Sequence, residues 1–184
     1  MVIEWFVPES DVEQRLLEDP QLQRGWAWGK PRHGHPEGAV GRHVQAMLAE
    51  IAPDDPLRGD LRLLTLLHDT FKVDAREGLP YSPDTDHAQM AARFADRHGC
   101  PRRIADTLAL HDAPYWVWHR RGGDPDLLEQ VLSRAPDREL LERFVELDAA
   151  TLGKNPAFLE WFRTSRRGLE DPLQPRAPRG IDHT

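Results

Sequence analysis

Two side chains that commonly bind metals, His68 and Asp69, stand next to each other directly after the apolar run of residues 61–67. A neutral imidazole and a carboxylate at the edge of a core are costly to bury unless a cation or hydrogen bonds compensate them. Side chains of the same two types recur along the chain, each within a segment that reads as helix: His43, His87, His111 and Asp148. These six side chains provide enough ligands for two metal ions.

The ligand types indicate which metals such a site prefers. Imidazole together with carboxylate suits Mn, Fe, Co, Ni or Zn better than Mg or Ca, which prefer oxygen ligands alone. Cys100 is the only cysteine, which excludes an intrachain disulfide and a zinc site built on thiolates. The sequence therefore predicts one or two divalent transition metal ions held by histidine and aspartate.

Apolar residues that recur every three or four positions predict the helices that must position these ligands. A capped helix of residues 11–17 is expected to end at Pro20, and residues 23–37, rich in Gly, Pro, Trp and His, are expected to form an ordered loop. The other predicted helices cover residues 38–51, 57–71, 84 or 85 to 98, 101–113, 126–132, 137–152 and 155–166. No stretch alternates with period two over a useful length, so the fold is predicted to be all-α.

Each candidate ligand lies beside the apolar face of its helix, so packing these faces would gather the ligands at one end of the core. Along the chain they follow the order His43, His68, Asp69, His87, His111 and Asp148. This order resembles the HD-domain superfamily of helical, metal-dependent phosphohydrolases, in the form that binds two metals, over roughly residues 35–150. A narrower similarity, to the HD domain of bacterial CCA-adding enzymes, rests on the His-Pro-Glu-Gly of residues 35–38 and on Lys72.

The resemblance implies an HD-domain helical bundle over residues 35–167. Residues 1–34 would form an N-terminal helix and loop packed on the core, and residues 168–184 a flexible tail. It also implies two metal sites that share Asp69 as a bridge: His43, His68, Asp69 and Asp148 for one ion, and His87 and His111 for the other. Two such ions would activate a water molecule as the nucleophile and bind the phosphoryl oxygens, with Asp69 and Lys72 as the catalytic residues.

Five residues near the ligands are predicted to bind substrate: Lys72, His35, Glu37, Asp112 and Trp116. Lys72 stands four positions after His68, so on a continuing helix it would face the same way and neutralise a phosphate oxygen; the alternative is a solvated lysine at a helix end. Asp112 has three interpretations of equal weight: a ligand of the second metal, a partner that orients His111, or the cap of the next helix. Trp116 either walls the pocket or packs in the core or against a second copy of the chain. His35 and Glu37 are expected near the pocket mouth; the alternative for His35 is packing under Trp26 and Trp28.

Composition and charge narrow the classes of partner. The chain is 39% hydrophobic and 30% charged, which fits a soluble globular protein rather than a disordered one. Its formal net charge of -7 would repel a nucleic-acid duplex, so a small phosphorylated molecule is the better substrate candidate. The N-terminus lacks a signal-peptide pattern and no apolar run approaches a membrane span, which predicts a cytoplasmic protein with no membrane partner.

Three functions fit these observations. The first is hydrolysis of a small phosphate ester, a nucleotide or cyclic nucleotide, through a metal-activated water. The second is oxidation, because some HD-fold proteins, such as myo-inositol oxygenase and its phosphonate-cleaving relatives, use four His and two Asp to hold a mixed-valent di-iron centre. The third is a non-catalytic module that senses a nucleotide. Lys72 favours the first, since the spacing His-Asp-x-x-Lys is common in the hydrolases.

Overall fold

The computed structural model describes residues 5–31, 38–77, 80 and 82–170, and within these ranges it contains helices and no strand. The all-α prediction is therefore confirmed. The helices in the N-terminal half are α1 (Asp11–Glu18), α2 (Pro20–Ala27), α3 (Val40–Ala49), α4 (Arg58–Leu67), α5 (Lys72–Glu77) and, after a 3-10 turn at Pro83–Thr85, α6 (His87–Arg97). The helices that follow are α7 (Arg102–Leu110), α8 (Ala113–Arg120), α9 (Pro125–Leu132), α10 (Arg138–Ala149) and α11 (Pro156–Glu170).

The first two helices correct the predicted loop of residues 23–37. Ser10 caps α1 as expected, its hydroxyl accepting from the Glu13 amide at 3.2 Å. Pro20 does follow the end of α1, but it also begins α2, because proline suits the first position of a helix. The Asp19 carboxylate caps this second helix by accepting from the Gln21 amide at 2.7 Å. Residues 23–27 are consequently helical.

Two helices end where the candidate ligands begin. α4 stops at Leu67 rather than at the predicted residue 71, and His68 is its C-cap residue. The chain then turns, and Lys72 begins α5, so Lys72 is not on the same helix as His68 as the prediction assumed. α7 likewise stops one residue before His111. The cap of α6 is Asp86, one or two residues later than predicted.

Two clusters of buried apolar side chains form the core, and α10 contributes to both. The first cluster joins α1 to α4 with α6 and α7, and includes Leu140 and Phe144 of α10. The second joins α8, α9 and α11 with Leu141 and Val145 of α10. Because side chains four positions apart share a helix face, Asp148 lies on the same face as Phe144, at the boundary between the clusters.

α4 is the central helix, since all of its residues from 60 to 67 are buried. A buried ion pair links α1 to α4: the Arg62 Nε donates to Glu13 Oε1 at 2.7 Å and its Nη2 to Glu13 Oε2 at 2.8 Å.

At the other end of the chain, α11 continues to Glu170, beyond the start of the predicted tail, and residues 171–184 lie outside the described residues. In the described part of the chain, no helix combines the length and apolar character needed to cross a membrane.

Replacing Gly25 with alanine is expected to lower the free energy of unfolding by about 1–3 kcal/mol, because overpacking forces neighbouring atoms to shift. A Cβ at Gly25 would lie 2.1 Å from the Thr70 carbonyl oxygen, one residue after the His-Asp pair. Gly59→Ala is the matched control, since a Cβ at Gly59 would meet no described atom within 4 Å beyond its chain neighbours and the backbone of its own helix. Urea unfolding of both variants measures the effect. Equal stability of Gly25→Ala and the parent protein would contradict the close approach of α2 to residue 70.

Candidate metal centre

The six predicted ligands come together in two adjacent groups. We call the first ligand group His43, His68 and Asp148, and the second ligand group Asp69, His87 and His111. Within each group, one ligand atom from every residue lies within 4.8 Å of the others. The helices bring these residues together from distant positions, since His43 and Asp148 are separated by 105 residues.

Asp69 lies between the two groups. Its Oδ1 is 3.5 Å from His68 Nε2 of the first group and 4.0 Å from His87 Nε2 of the second. Its Oδ2 accepts a hydrogen bond from the Lys72 ammonium at 2.7 Å. One carboxylate oxygen is thus held by the lysine, and the other faces histidines of both groups, so Asp69 is the candidate for a ligand shared between them.

Two histidines are oriented by the helix ends that precede them. The Nδ1 of His68 lies 3.1 Å from the Thr65 carbonyl oxygen, and the Nδ1 of His111 lies 2.7 Å from the Leu108 carbonyl oxygen. The last carbonyls of a helix lack helical partners and can accept these ring protons. With the proton on Nδ1, each Nε2 presents its lone pair to the ligand group, as in metal-binding histidines generally.

The buried donor set fits a metal ion. Among the described residues, four buried ligand atoms make no hydrogen bond: His68 Nε2, Asp69 Oδ1, His87 Nε2 and His111 Nε2. A buried polar atom left without a partner costs about 1–3 kcal/mol. All four point into the ligand groups and all are nitrogen or oxygen donors of the kind that divalent transition metals prefer.

The protonation states also suit metal binding, because a ligand must give up its proton first. Burial lowers the pKa of His68 to about 3, although the nearby carboxylates oppose this. Burial by itself would raise the pKa of Asp69, but interactions with His68 and the Lys72 ammonium hold it well below its usual value. Burial lowers the pKa of His87 as well, against the opposing effect of Asp112. At neutral pH these groups are in their ligand forms.

The metal-free protein is expected to lose about 2 kcal/mol of stability between pH 7 and pH 5 from His68 alone. The folded-state pKa of about 3 lies below the usual 6.5, so protons bind preferentially to the unfolded chain. The stability is complete above pH 6.5 and declines as the pH falls from 6.5 toward 3. Urea unfolding in a chelating buffer measures it, with His68→Gln expected to flatten this decline and the exposed His119→Gln expected to leave it unchanged. An equal decline in His68→Gln would contradict the assignment.

A cavity of about 640 Å³ opens beside the two ligand groups. His87, His111 and Asp148 contribute to its wall, so the cavity reaches both groups. Its cations are Lys72, Arg76 and Lys154, and its aromatic side chains include Tyr115 and Phe158.

Two lysines border the ligand groups, and the sequence pattern predicted only one of them. Lys72 is 12% exposed and paired with Asp69, which excludes the alternative of a solvated lysine. Lys154 was missed; its ammonium lies 3.1 Å from Asp148 Oδ1. Its position in a loop gives no periodic signal. The composition does contain a signal for Lys154. Only three of the 24 Lys and Arg residues are lysines, and two of these three lie beside the ligand groups.

The structure separates the three interpretations of Asp112. Its side chain makes no capping hydrogen bond to α8. The ring nitrogen that could orient His111 already faces Leu108. Asp112 Oδ2 is instead 3.3 Å from His87 Nε2, and Oδ1 is 3.8 Å from His111 Nε2. Asp112 therefore lies beside the second ligand group, where it is an additional candidate ligand.

The other residues predicted to bind substrate are not found in the described cavity wall. Trp116 is not part of the described cavity wall; its ring is half-exposed and lies 4.8 Å from the Arg121 guanidinium carbon. Tyr115, one position earlier and so about 100° around the helix, occupies the wall instead. His35 and Glu37 lie outside the described residues. Cys100 is buried, and burial raises the pKa of its thiol to about 11, so it is not a nucleophile at neutral pH.

No protein-family model, curated protein or solved structure matches this chain. The similarity to the HD-domain superfamily therefore rests on the order of the ligand types in the sequence, and membership of that superfamily stays a prediction.

Proposed function

We propose that this protein is an HD-domain phosphohydrolase that uses one or two divalent transition metal ions to cleave a small phosphate ester. The observation that carries the proposal is the convergence of two adjacent ligand groups on a cavity that also holds two lysines. Four buried donor atoms of these groups have no hydrogen-bond partner among the residues that the structure describes. Metal ligands beside cations are the combination that phosphoryl transfer needs, since the transferred group carries negative charge throughout.

Each residue of the proposed centre has a separate role. His43, His68 and Asp148 would hold one ion and His87 and His111 the other, with Asp69 shared. When bound, the ions supply Lewis acidity that activates water near neutral pH. Lys72 holds Asp69 Oδ2 and so fixes the orientation of the shared carboxylate. From the same place, its ammonium can neutralise an oxygen of the substrate phosphate.

The cavity favours a nucleotide or cyclic nucleotide as the substrate. A volume of about 640 Å³ is in the range of small-molecule sites, and it suits a single nucleotide better than a polymer. Tyr115 and Phe158 lie in its wall with their rings in an edge-to-face contact at 5.2 Å, which offers an apolar surface to a base. The net charge of -7 disfavours a nucleic-acid chain. The proposal includes a cytoplasmic location, as the sequence predicts.

The test begins with elemental analysis of protein purified without a metal-chelating tag. The protein is then assayed with a panel of phosphomonoesters, phosphodiesters and cyclic nucleotides in the presence of Mn, Co or Ni. We expect release of orthophosphate or ring opening, and loss of this activity in Asp69→Ala. Absence of turnover across the panel in folded, metal-loaded protein would overturn the proposal.

A second candidate is a mixed-valent di-iron oxygenase, favoured by one observation: the two groups contain four histidines and two aspartates with Asp69 between them. About two iron atoms per chain together with substrate-dependent oxygen consumption would favour it over hydrolysis. A third, a non-catalytic nucleotide sensor, would bind nucleotides in a calorimeter without turning them over.

A further inference from the structure

Lys154 lies in the loop between α10 and α11, where it reaches back over the end of α10. Gly153 precedes it with a φ of +87°, a conformation that favours glycine, and the Lys154 amide donates to the Thr151 carbonyl at 3.2 Å. Its side chain is only 19% exposed and lies in the cavity wall. The ammonium contacts both oxygens of Asp148, at 3.1 Å to Oδ1 and 3.4 Å to Oδ2.

The two lysines of the site contact different oxygens of their carboxylate partners, relative to the ligand groups. Lys72 contacts Asp69 through Oδ2 and leaves Oδ1, which faces the histidines, without a hydrogen bond among the described residues. Lys154 approaches most closely the oxygen of Asp148 that faces its own group, because Oδ1 is also 2.8 Å from His43 Nε2 and 4.0 Å from His68 Nε2. Lys72 therefore leaves a metal-binding position open, whereas Lys154 competes for one.

A divalent ion in the first ligand group would take Asp148 Oδ1 and repel an ammonium 3.1 Å away. The lysine would then need another anionic partner, because a largely buried cation without one is unfavourable. The space open to its side chain is the cavity, whose polar wall holds candidate metal ligands, the cations Lys72 and Arg76, and the amide of Asn155. The one further carboxylate of the described wall, Asp112, lies beside the second ligand group, 3.3 Å from His87 Nε2. An oxyanion entering that cavity would supply the missing negative charge.

We propose that Lys154 is a substrate-binding residue whose ammonium leaves Asp148 Oδ1 when the first ligand group binds a metal ion and then contacts an oxyanion of phosphate type in the cavity. The identity of the anion rests on the proposed phosphohydrolase function. The exchange itself does not, because it requires no turnover.

The scarcity of lysine makes a direct test practical. Protein labelled with ¹³C-lysine gives three side-chain Cε signals, from Lys30, Lys72 and Lys154, and one Lys→Arg variant at each position assigns them. We expect zinc to shift the Lys154 signal and inorganic phosphate, added to the zinc-loaded protein, to shift it again. The exposed Lys30 is the internal control and should respond to neither. A Lys154 signal that ignores phosphate while phosphate binds elsewhere in the zinc-loaded protein would overturn the proposal.

Metal and phosphate affinities give a second readout. Removing the competing charge in Lys154→Met is expected to tighten zinc binding to the first ligand group and to weaken phosphate binding to the zinc-loaded protein by about tenfold. Lys30→Met should change neither affinity. Unchanged phosphate affinity in folded Lys154→Met would contradict the proposal; if that variant does not fold, Lys154→Gln serves in its place. Both readouts stand if the protein proves to hydrolyse nothing, so failure of the proposed function is distinguishable.

Discussion

Replacing Asp69 with asparagine is expected to remove both metal ions and to lower kcat/KM by about a thousandfold, a loss of ~4 kcal/mol of transition-state stabilisation. Asp69 Oδ1 faces His68 at 3.5 Å and His87 at 4.0 Å, so this one carboxylate borders both ligand groups, and in the proposed centre it is shared by both ions. Asparagine preserves the shape but not the negative charge, and a neutral amide is a weak ligand. The Lys72 ammonium, 2.7 Å from Asp69 Oδ2, would in addition be left without its anion.

Variants of other ligands separate the two groups. His87→Gln changes only the second ligand group, so we expect it to lose one metal ion and to keep the other. Asp96→Asn is the matched control, because this aspartate is exposed on α6. Elemental analysis after dialysis gives the metal content and steady-state assays give kcat/KM. If Asp69→Asn retained two ions per chain, the shared position of this carboxylate would be refuted.

The candidate ligands could be predicted because they depend on residue type and helical period. The apolar positions of α3, α4, α7 and α10 define the faces that must pack together, and a ligand beside such a face is carried to the core boundary with it. His43 and Asp148 reach hydrogen-bonding distance, 2.8 Å, in this way although they are far apart in the chain. The local pattern around each residue predicted this convergence, whereas the division of the ligands between two metal sites came from the resemblance to the HD-domain superfamily.

The ends of the helices could not be predicted in the same way. Pro20 follows the end of one helix and begins the next, and the outcome depends on whether the Asp19 side chain caps the second, which it does. The apolar run of α4 would permit a helix to residue 71, yet the helix ends at Leu67 and His68 bonds back to the Thr65 carbonyl. Where competing local structures are nearly equal in energy, tertiary contacts decide between them.

The side chains of the loops and of α8 that line the cavity could not be predicted from the sequence, for a related reason. Each step along a helix turns the side chain by about 100°, so a small uncertainty in where α8 begins exchanges Trp116 for Tyr115 in the cavity wall. Lys154 follows a glycine with positive φ in a loop, where no period relates its direction to that of Asp148. The convergence of the candidate ligands follows from residue type and periodicity, whereas the side chains that line the rest of the cavity depend on irregular segments.

Zinc or manganese at about a thousand times its dissociation constant is expected to raise the free energy of unfolding by ~4 kcal/mol and the melting temperature by about 10 °C. Four buried donor atoms make no hydrogen bond in the described part of the chain, and an ion would give them partners only when the protein is folded. A chelator should reverse the change. Calcium is the control ion, because it prefers oxygen ligands and finds few here.

The same melting experiment on Asp69→Asn distinguishes this site from adventitious binding. The unfolded chain retains its nine histidines, which bind zinc weakly and would reduce the apparent stabilisation equally in the parent protein and in the variant. Only the folded parent offers the two ligand groups around a shared carboxylate, so the rise in melting temperature should vanish in the variant. The same rise in both proteins would mean that the ions stabilise the fold from somewhere other than the boundary between α3, α4, α6, α7 and α10. That result would remove the energetic basis for treating the six converging side chains as a metal centre, because their unpartnered atoms would then stay uncompensated in the folded state.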